Sequence, residues 1–165
     1  MIVRATKVSL VLAVALFYTF VVFNNVTDYN TNYQFVRHVL MMDSTPPGNH
    51  EMWRAINRPA WHTAFYLGVI AWESIVMFLC WAGSWRMVRQ FSSPGAAFER
   101  AKRTAVSALA LALLMWLMAF LSVGGEWFLM WQSKTWNGED AALRMFTVIG
   151  IVLLLLVQPE TETQA

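Results

Sequence analysis

The chain has 165 residues, of which 58% are hydrophobic and only 13% are charged, and its formal net charge is +2. A soluble domain carries about 25% charged residues, so this chain has too little polar surface to cover itself in water. Its weak, scattered positive charge argues against a nucleic-acid partner. The single cysteine, Cys80, excludes an intramolecular disulfide and a cysteine-cluster metal site.

Four apolar runs predict membrane spans at about residues 6–23, 61–85, 104–123 and 141–158. Each run is close to the ~20 residues that an α-helix needs to cross the hydrocarbon core. Backbone groups in lipid must be paired within the segment, which favours helices over strands. The expected fold is all-α: a single transmembrane domain over residues 1–165, built as a four-helix up-down-up-down bundle.

Arg4 and Lys7 precede the first run as they would in a signal peptide, but no small-x-small cleavage pattern follows it. We therefore expect an uncleaved span. Lysine and arginine number seven on the side of the N-terminus and five on the opposite side, which predicts that both termini are cytoplasmic and that two loops lie on the outer face. The polar tail after Gln158 is expected to fray.

The first outer loop is long enough to carry structure of its own. A short interfacial helix is predicted around residues 35–42, capped by Asn30 or Thr31, and Pro46-Pro47-Gly48 breaks it. A second short helix is predicted from Asn49 to Ile56 or Asn57. Polar residues crowd the exit of the first span, where they form either a collar that satisfies helix ends or a binding rim. These residues are Asn24, Asn25, Asp28, Tyr29 and Asn32.

The second outer connection, residues 124–138, is rich in tryptophan. Gly124-Gly125 is expected to bend the chain out of the third helix, and Asn137-Gly138 to turn it into the fourth. Between them lie four further candidates for an interaction surface: Glu126, Trp127, Trp131 and Trp136. Together with His38 and Trp53 of the first loop, they are expected to form one aromatic and polar cap, which either docks on a partner or seals the bundle.

Glu73 lies in the middle of the second span, where an ionised carboxylate costs at least about 2.5 kcal/mol. It is therefore the candidate functional acid within the membrane: a proton carrier, a cation site or a quinone contact. The alternative is a protonated acid that donates a hydrogen bond between helices. Tyr18 and Thr19 are its expected neighbours at that depth, and Tyr66 and Cys80 share its helix face.

The three histidines match no ligand spacing, and only the second span carries one, His62. We therefore predict no metal, haem or other cofactor. No catalytic constellation is present, so an enzyme is not expected. Small residues recur at helical spacing on the third and second spans, where packing within the bundle is favoured over docking on a partner helix. They are Ala101, Ala105, Ala108 and Ala112, and Ala64, Gly68 and Ala71.

The chain resembles a bacterial family of predicted small integral membrane proteins of unknown function. The resemblance covers nearly the whole chain. It depends on the segments 24–32 and 35–43, on Trp53-Arg54, Glu73 and Ala101-Lys102, and on the stretch from Glu126-Trp127-Phe128 to Trp136-Asn137-Gly138. It implies a location in the inner membrane of a Gram-negative bacterium and no particular activity.

Three functions remain open from the sequence. The first, which we favour, is an accessory or scaffold subunit whose cap docks on a larger inner-membrane complex. The second is a small oligomeric transporter that uses Glu73 as its coupling carboxylate. The third is a haem- or quinone-linked redox subunit. The expected partners are the lipid bilayer and either another membrane protein or further copies of this chain.

Overall fold

The computed structural model describes residues 1–160 and contains no β-strand within them. The last five residues of the polar tail lie outside the described part. The α-helices are α1 (Ile2–Thr27), α2 (Tyr29–Met41), α3 (Pro59–Arg89), α4 (Gly95–Leu114) and α5 (Glu139–Val157). A π-helical continuation of α4, Met115–Trp127, is called the π segment. The expectation of an all-α membrane fold is confirmed, since α1, α3, α4 with the π segment, and α5 are each long and apolar enough to span a bilayer.

Helices α1 and α3 run in opposite directions, as two contacts show. Near the start of α1, Arg4 Nη1 donates a hydrogen bond to the carbonyl of Phe91, 2.8 Å away just beyond the end of α3. Near the end of α1, Asn25 bonds to Glu73 in the middle of α3. The end of the bundle that holds Arg4 and Phe91 is called the terminal end, and the opposite end is called the loop end.

The other long helices are ordered by similar contacts. Arg86 of α3 donates to Thr104 of α4 near the terminal end, and Trp72 Nε1 donates to the carbonyl of Leu111 farther along, at 3.1 Å. Helix α4 is therefore antiparallel to α3. Helix α5 ends at the terminal end, where the carbonyl of Gln158 accepts a hydrogen bond from Lys7.

The predicted small residues of α4 pack inside the bundle, whereas the three predicted for α3 do not. Ala105 and Ala108 are fully buried, and Gly83 lies so close to Ala105 that an added Cβ would come within 2.7 Å of its backbone nitrogen. By contrast Ala64, Gly68 and Ala71 are exposed. The expectation of bundle packing is thus correct for the third span and wrong for the second.

The expectation that Gly124-Gly125 bends the chain out of the helix is wrong. Both glycines are buried inside the π segment, which continues to Trp127. The π-helical hydrogen bonding continues past Gly125, because the amide of Phe128 donates to the carbonyl of Val123, five residues earlier, at 3.0 Å. The chain turns instead at Leu129, whose φ is 54°. Asn137-Gly138 leads into α5 as expected, with Asn137 Oδ1 accepting from the amide of Glu139.

The first connection contains α2 but only a short 3-10 turn, Met52–Arg54, in place of the second predicted helix. The helix cannot continue because Ala55 is extended (φ −61°, ψ 133°) and the amide of Ile56 donates to the carbonyl of Leu40, 2.8 Å away. That bond ties the chain to the end of α2. Helix α2 itself begins after Asp28, not at Asn30 or Thr31, and Asp28 makes no side-chain capping bond.

Two matched substitutions test the close approach of α3 and α4. Gly83→Ala and Gly68→Ala both gain the higher helix propensity of alanine. The added methyl group at position 83 would collide with Ala105, whereas nothing lies within 4 Å of a Cβ at Gly68. We expect Gly83→Ala to lose about 1–3 kcal/mol through overpacking and to lower the melting temperature in detergent. Gly68→Ala should leave it unchanged or raised. Equal melting temperatures would contradict the packing described here.

Candidate functional site

Asn25 is the centre of a buried polar cluster, which we call the node. Its Nδ2 donates to Glu73 Oε2 at 2.6 Å. Its Oδ1 accepts from Asn32 Nδ2 at 2.7 Å and from the Tyr66 hydroxyl at 3.3 Å, and that hydroxyl lies 3.1 Å from the Asn25 carbonyl. One amide side chain of α1 therefore satisfies polar groups of α2 and α3.

The node exists because α1 continues past residue 23, where the apolar run ends. The added turn carries Asn25 into the bundle, where it is 7% exposed, and Glu73 beside it is 3% exposed. The expected partners of Glu73 at this depth were Tyr18 and Thr19, and that expectation is wrong. The Tyr18 hydroxyl accepts from Trp116 Nε1 at 3.0 Å, and Thr19 donates to the carbonyl of Ala15.

The five polar residues at the exit of the first span do not act as one collar. Asn25 and Asn32 bond to side chains of the node instead of to helix ends. Tyr29 packs edge-on against Tyr66, with ring centroids 4.7 Å apart. Asn24 and Asp28 are exposed. The collar and the rim interpretations both miss this division, because three of the five residues contact the bundle and two face outward.

The connection between α1 and α3 and the connection between the π segment and α5 meet at the loop end, as expected of the cap. His38 stacks on Trp136 with centroids 4.6 Å apart and an interplanar angle of 7°, and its Nδ1 lies 2.7 Å from Asp43 Oδ2. The Ser44 hydroxyl donates to Ser133 Oγ at 2.7 Å. The cap is thus residues 28–58 together with residues 127–138.

Arg54 lies between two exposed tryptophans of the cap. Its guanidinium carbon is 5.3 Å from the Trp53 ring and 5.0 Å from the Trp127 ring, and the two rings meet edge-on at 5.9 Å. Glu51 pairs with the same guanidinium at 2.6 Å. Trp53 is 70% exposed and Trp127 48%, so residues 1–160 leave their outer faces uncovered.

The remaining predicted surface residues are less engaged. Trp131 is 51% exposed, Glu126 is exposed, and Asn137 serves the start of α5. Sequence reasoning missed Arg54 as the residue between the tryptophans, and it missed Ser133, whose hydroxyl also accepts from the amide of Trp136. The dipeptide Trp53-Arg54 was the available signal for Arg54, and nothing in the sequence marks Ser133.

The histidines serve separate local contacts. His62 is buried, and its Nε2 bonds to the carbonyl of Ile56 at 2.7 Å. Within residues 1–160, no three side chains of histidine, cysteine, aspartate or glutamate converge as metal ligands. These residues therefore offer no assembled metal centre.

A buried ion cluster closes the terminal end. Glu160 pairs with Lys7 at 2.7 Å, with Arg4 at 3.1 Å and with Lys102 at 3.7 Å. Burial alone would raise the pKa of Glu160, but hydrogen bonds from Lys7 and Arg4 and the nearby ammonium charges lower it overall. The expectation that the tail frays after Gln158 is therefore wrong for Glu160.

Four spanning helices, a lipid-facing apolar surface and polar groups gathered inside define an integral membrane protein. A family model described as predicted small integral membrane protein (DUF2165) matches residues 3–159, and the chain belongs to that family. The resemblance to a family of predicted small integral membrane proteins is thereby confirmed, while the bacterial origin of that family stays a prediction. The curated proteins contain no match, and neither do the solved structures.

The node predicts a sharp difference between neighbouring asparagines. Asn25→Ala leaves the buried Glu73 without its amide partner and removes the acceptor of Asn32, whereas Tyr66 keeps its bond to the Asn25 carbonyl. An unpaired buried group costs about 1–3 kcal/mol. We expect a large fall in melting temperature in detergent, whereas the exposed Asn24→Ala should be close to wild type. Glu73→Gln should also be well tolerated, because its carbonyl oxygen can accept from Asn25. Equal losses for Asn24→Ala and Asn25→Ala would show that the node does not stabilise the bundle.

Proposed function

We propose that the chain is an accessory or scaffold subunit that docks through its cap on a larger membrane-protein complex. The carrying observation is Arg54 held between Trp53 and Trp127, with both rings open to a partner. Tryptophan and arginine are the residue types that dominate binding energy at protein interfaces. The proposal assigns the chain no catalytic step and no cofactor of its own.

Bonds beneath the tryptophans support this proposal because they hold the surface in place before a partner arrives. Arg54 Nη1 donates to the Trp127 carbonyl at 3.4 Å, and the pair Ser44–Ser133 joins the two connections. Below them Leu40, Met42 and Phe128 form a small apolar core. A surface already ordered loses little conformational entropy on binding.

An interfacial tryptophan belt is the alternative explanation for exposed indoles in a membrane protein. Trp85 near the terminal end fits that explanation: it is 60% exposed, and Arg89, one helical turn away, covers its ring at 4.8 Å. Trp53 and Trp127 differ because they come from two separate connections that converge on one arginine. A belt requires no such convergence.

Glu73 favours docking over transport as the main function. Its carboxylate accepts from Asn25 between α1 and α3, an arrangement that supports a structural role. A cleft of about 500 Å³ opens beside α3, and Glu73 is not among the residues that line it. A coupling carboxylate in a transporter has to reach the path of its substrate.

The docking proposal is tested by affinity purification in mild detergent. Trp53→Ala combined with Trp127→Ala should reduce recovery of a stoichiometric membrane-protein partner by at least about tenfold, since losing hot-spot residues costs about 2 kcal/mol or more. Trp85→Ala is the matched control, because it also removes an exposed indole stacked with an arginine, but at the terminal end. Partner recovery that stays complete in the double variant, or that falls equally in the control, would refute docking through the cap.

We further propose that the protein lies in the inner membrane of a bacterium with both termini in the cytoplasm. The support is the charge distribution, because seven of the twelve lysines and arginines lie toward the terminal end and five toward the loop end. The cap would then face outward, and its partner would be bound on the outer side of the membrane.

Cysteine labelling in intact cells tests this orientation. His50 and Ser92 are exposed, at the loop end and the terminal end respectively, while the native Cys80 is fully buried and gives little background. We expect a membrane-impermeant maleimide to label His50→Cys in intact cells and to label Ser92→Cys only after permeabilisation. The reverse pattern would invert the topology.

A further inference from the structure

A cleft of about 500 Å³ opens on the side of the bundle, between α3 and the π segment. It lies in the half of the bundle nearest the cap. None of the side chains that line it is charged. Trp72 contributes only its ring, since its indole N–H is already bonded to the carbonyl of Leu111.

The cleft is a wedge produced by helix packing. At the terminal end, α3 and α4 touch where Gly83 meets Ala105. Toward the loop end they separate, and small residues of α3, Ala64 and Gly68, face the space between them. A Cβ placed on Gly68 would have nothing within 4 Å. Ala64 and Gly68 therefore leave an open space between the helices, which larger packed side chains would have filled.

The π winding builds the opposite wall. Hydrogen bonds between residues five apart widen the helical turn and bring such residues toward the same side of the helix. The pairs Met115–Phe120 and Met118–Val123 have this spacing, and all four residues line the cleft. In an α-helix residues five apart would point in different directions. A long stretch of π-helix is rare, and π-helical geometry is frequently found at functional sites.

The loop end of the cleft is closed. Val36 and Val39 of α2, together with Phe128 and Met130, cover it from above. A spanning helix of a partner is about 30 Å long and about 10 Å wide, so if it lay along the cleft it would have to continue past the loop end, which α2 covers. A narrow apolar chain can instead enter sideways from the bilayer and end beneath α2, and it is the occupant that fits.

We propose that the cleft binds a single hydrocarbon chain of a membrane lipid. Apolar cavities of this kind stay dry, so water does not fill this one, and its volume lies in the range of small-molecule sites. Lipid tails are as apolar as the lining, so binding depends on close contact with the walls and not on the hydrophobic effect. The acyl chain of a phospholipid and the isoprenyl chain of a quinone share this chemistry.

The test measures lipid retained by the full-length protein. Wild-type protein and two variants are purified in mild detergent, washed until bulk phospholipid is gone, and analysed by native mass spectrometry and by lipid extraction. Gly68→Trp fills the cleft. Ala71→Trp is the control, because Ala71 is an exposed small residue on the same helix outside the lining. Both variants are first checked for a single peak in size-exclusion chromatography.

We expect wild type and Ala71→Trp to retain about one lipid molecule per protein, as a cavity of this size allows, and Gly68→Trp to lose it. A retained diacyl lipid identifies the phospholipid source, and a retained polyisoprenoid identifies the quinone source. If Gly68→Trp does not fold, Ala64→Leu provides a second, milder filling of the same cleft. The proposal is overturned if wild type retains no lipid, or if a folded cleft-filling variant retains as much as the control.

Discussion

The hydrogen bond between Asn25 and Glu73 is the constraint on which the rest of the structure depends. A carboxylate in the hydrocarbon region must have a partner, and Asn25 supplies one only if α1 continues beyond its apolar run and stays in a fixed register with α3. The same amide receives Asn32 from α2, so the direction in which α2 leaves α1 is set as well. One buried pair thus fixes the arrangement of three helices.

The cap follows from that arrangement. Because α2 begins directly after Asp28, its far end lies over the loop end of the bundle, where Leu40 and Met42 contact Phe128. This contact brings the two connections together and places Arg54 beside Trp127. Exposed tryptophans that would be mobile on a free loop are therefore held on a fixed support.

The sequence predicted the number of spans well, because the hydropathy of a segment indicates directly whether lipid or water surrounds it. It predicted the site less well, since the partner of a buried group depends on register, which composition does not encode. Tyr18 was expected at the depth of Glu73, but it bonds to Trp116, and the side chain that bonds to Glu73 is Asn25. Asn25 follows the apolar run in the sequence, so it was assigned to the polar residues after the first span. The failure at Gly124-Gly125 has a similar origin. Glycine marks a place where the chain can bend, whereas here its lack of a side chain admits close packing inside the π segment.

The π segment links the two proposed surfaces physically. Phe128, directly after it, belongs to the apolar core beneath the cap and also closes the cleft. Rewinding this segment as an α-helix would turn Met118 and Val123 away from each other and would rotate Trp127 relative to Arg54. The chain therefore cannot change the wall of the cleft without moving a tryptophan of the cap. This coupling requires no moving domain, because both surfaces share one helix, which continues α4 and packs against α5.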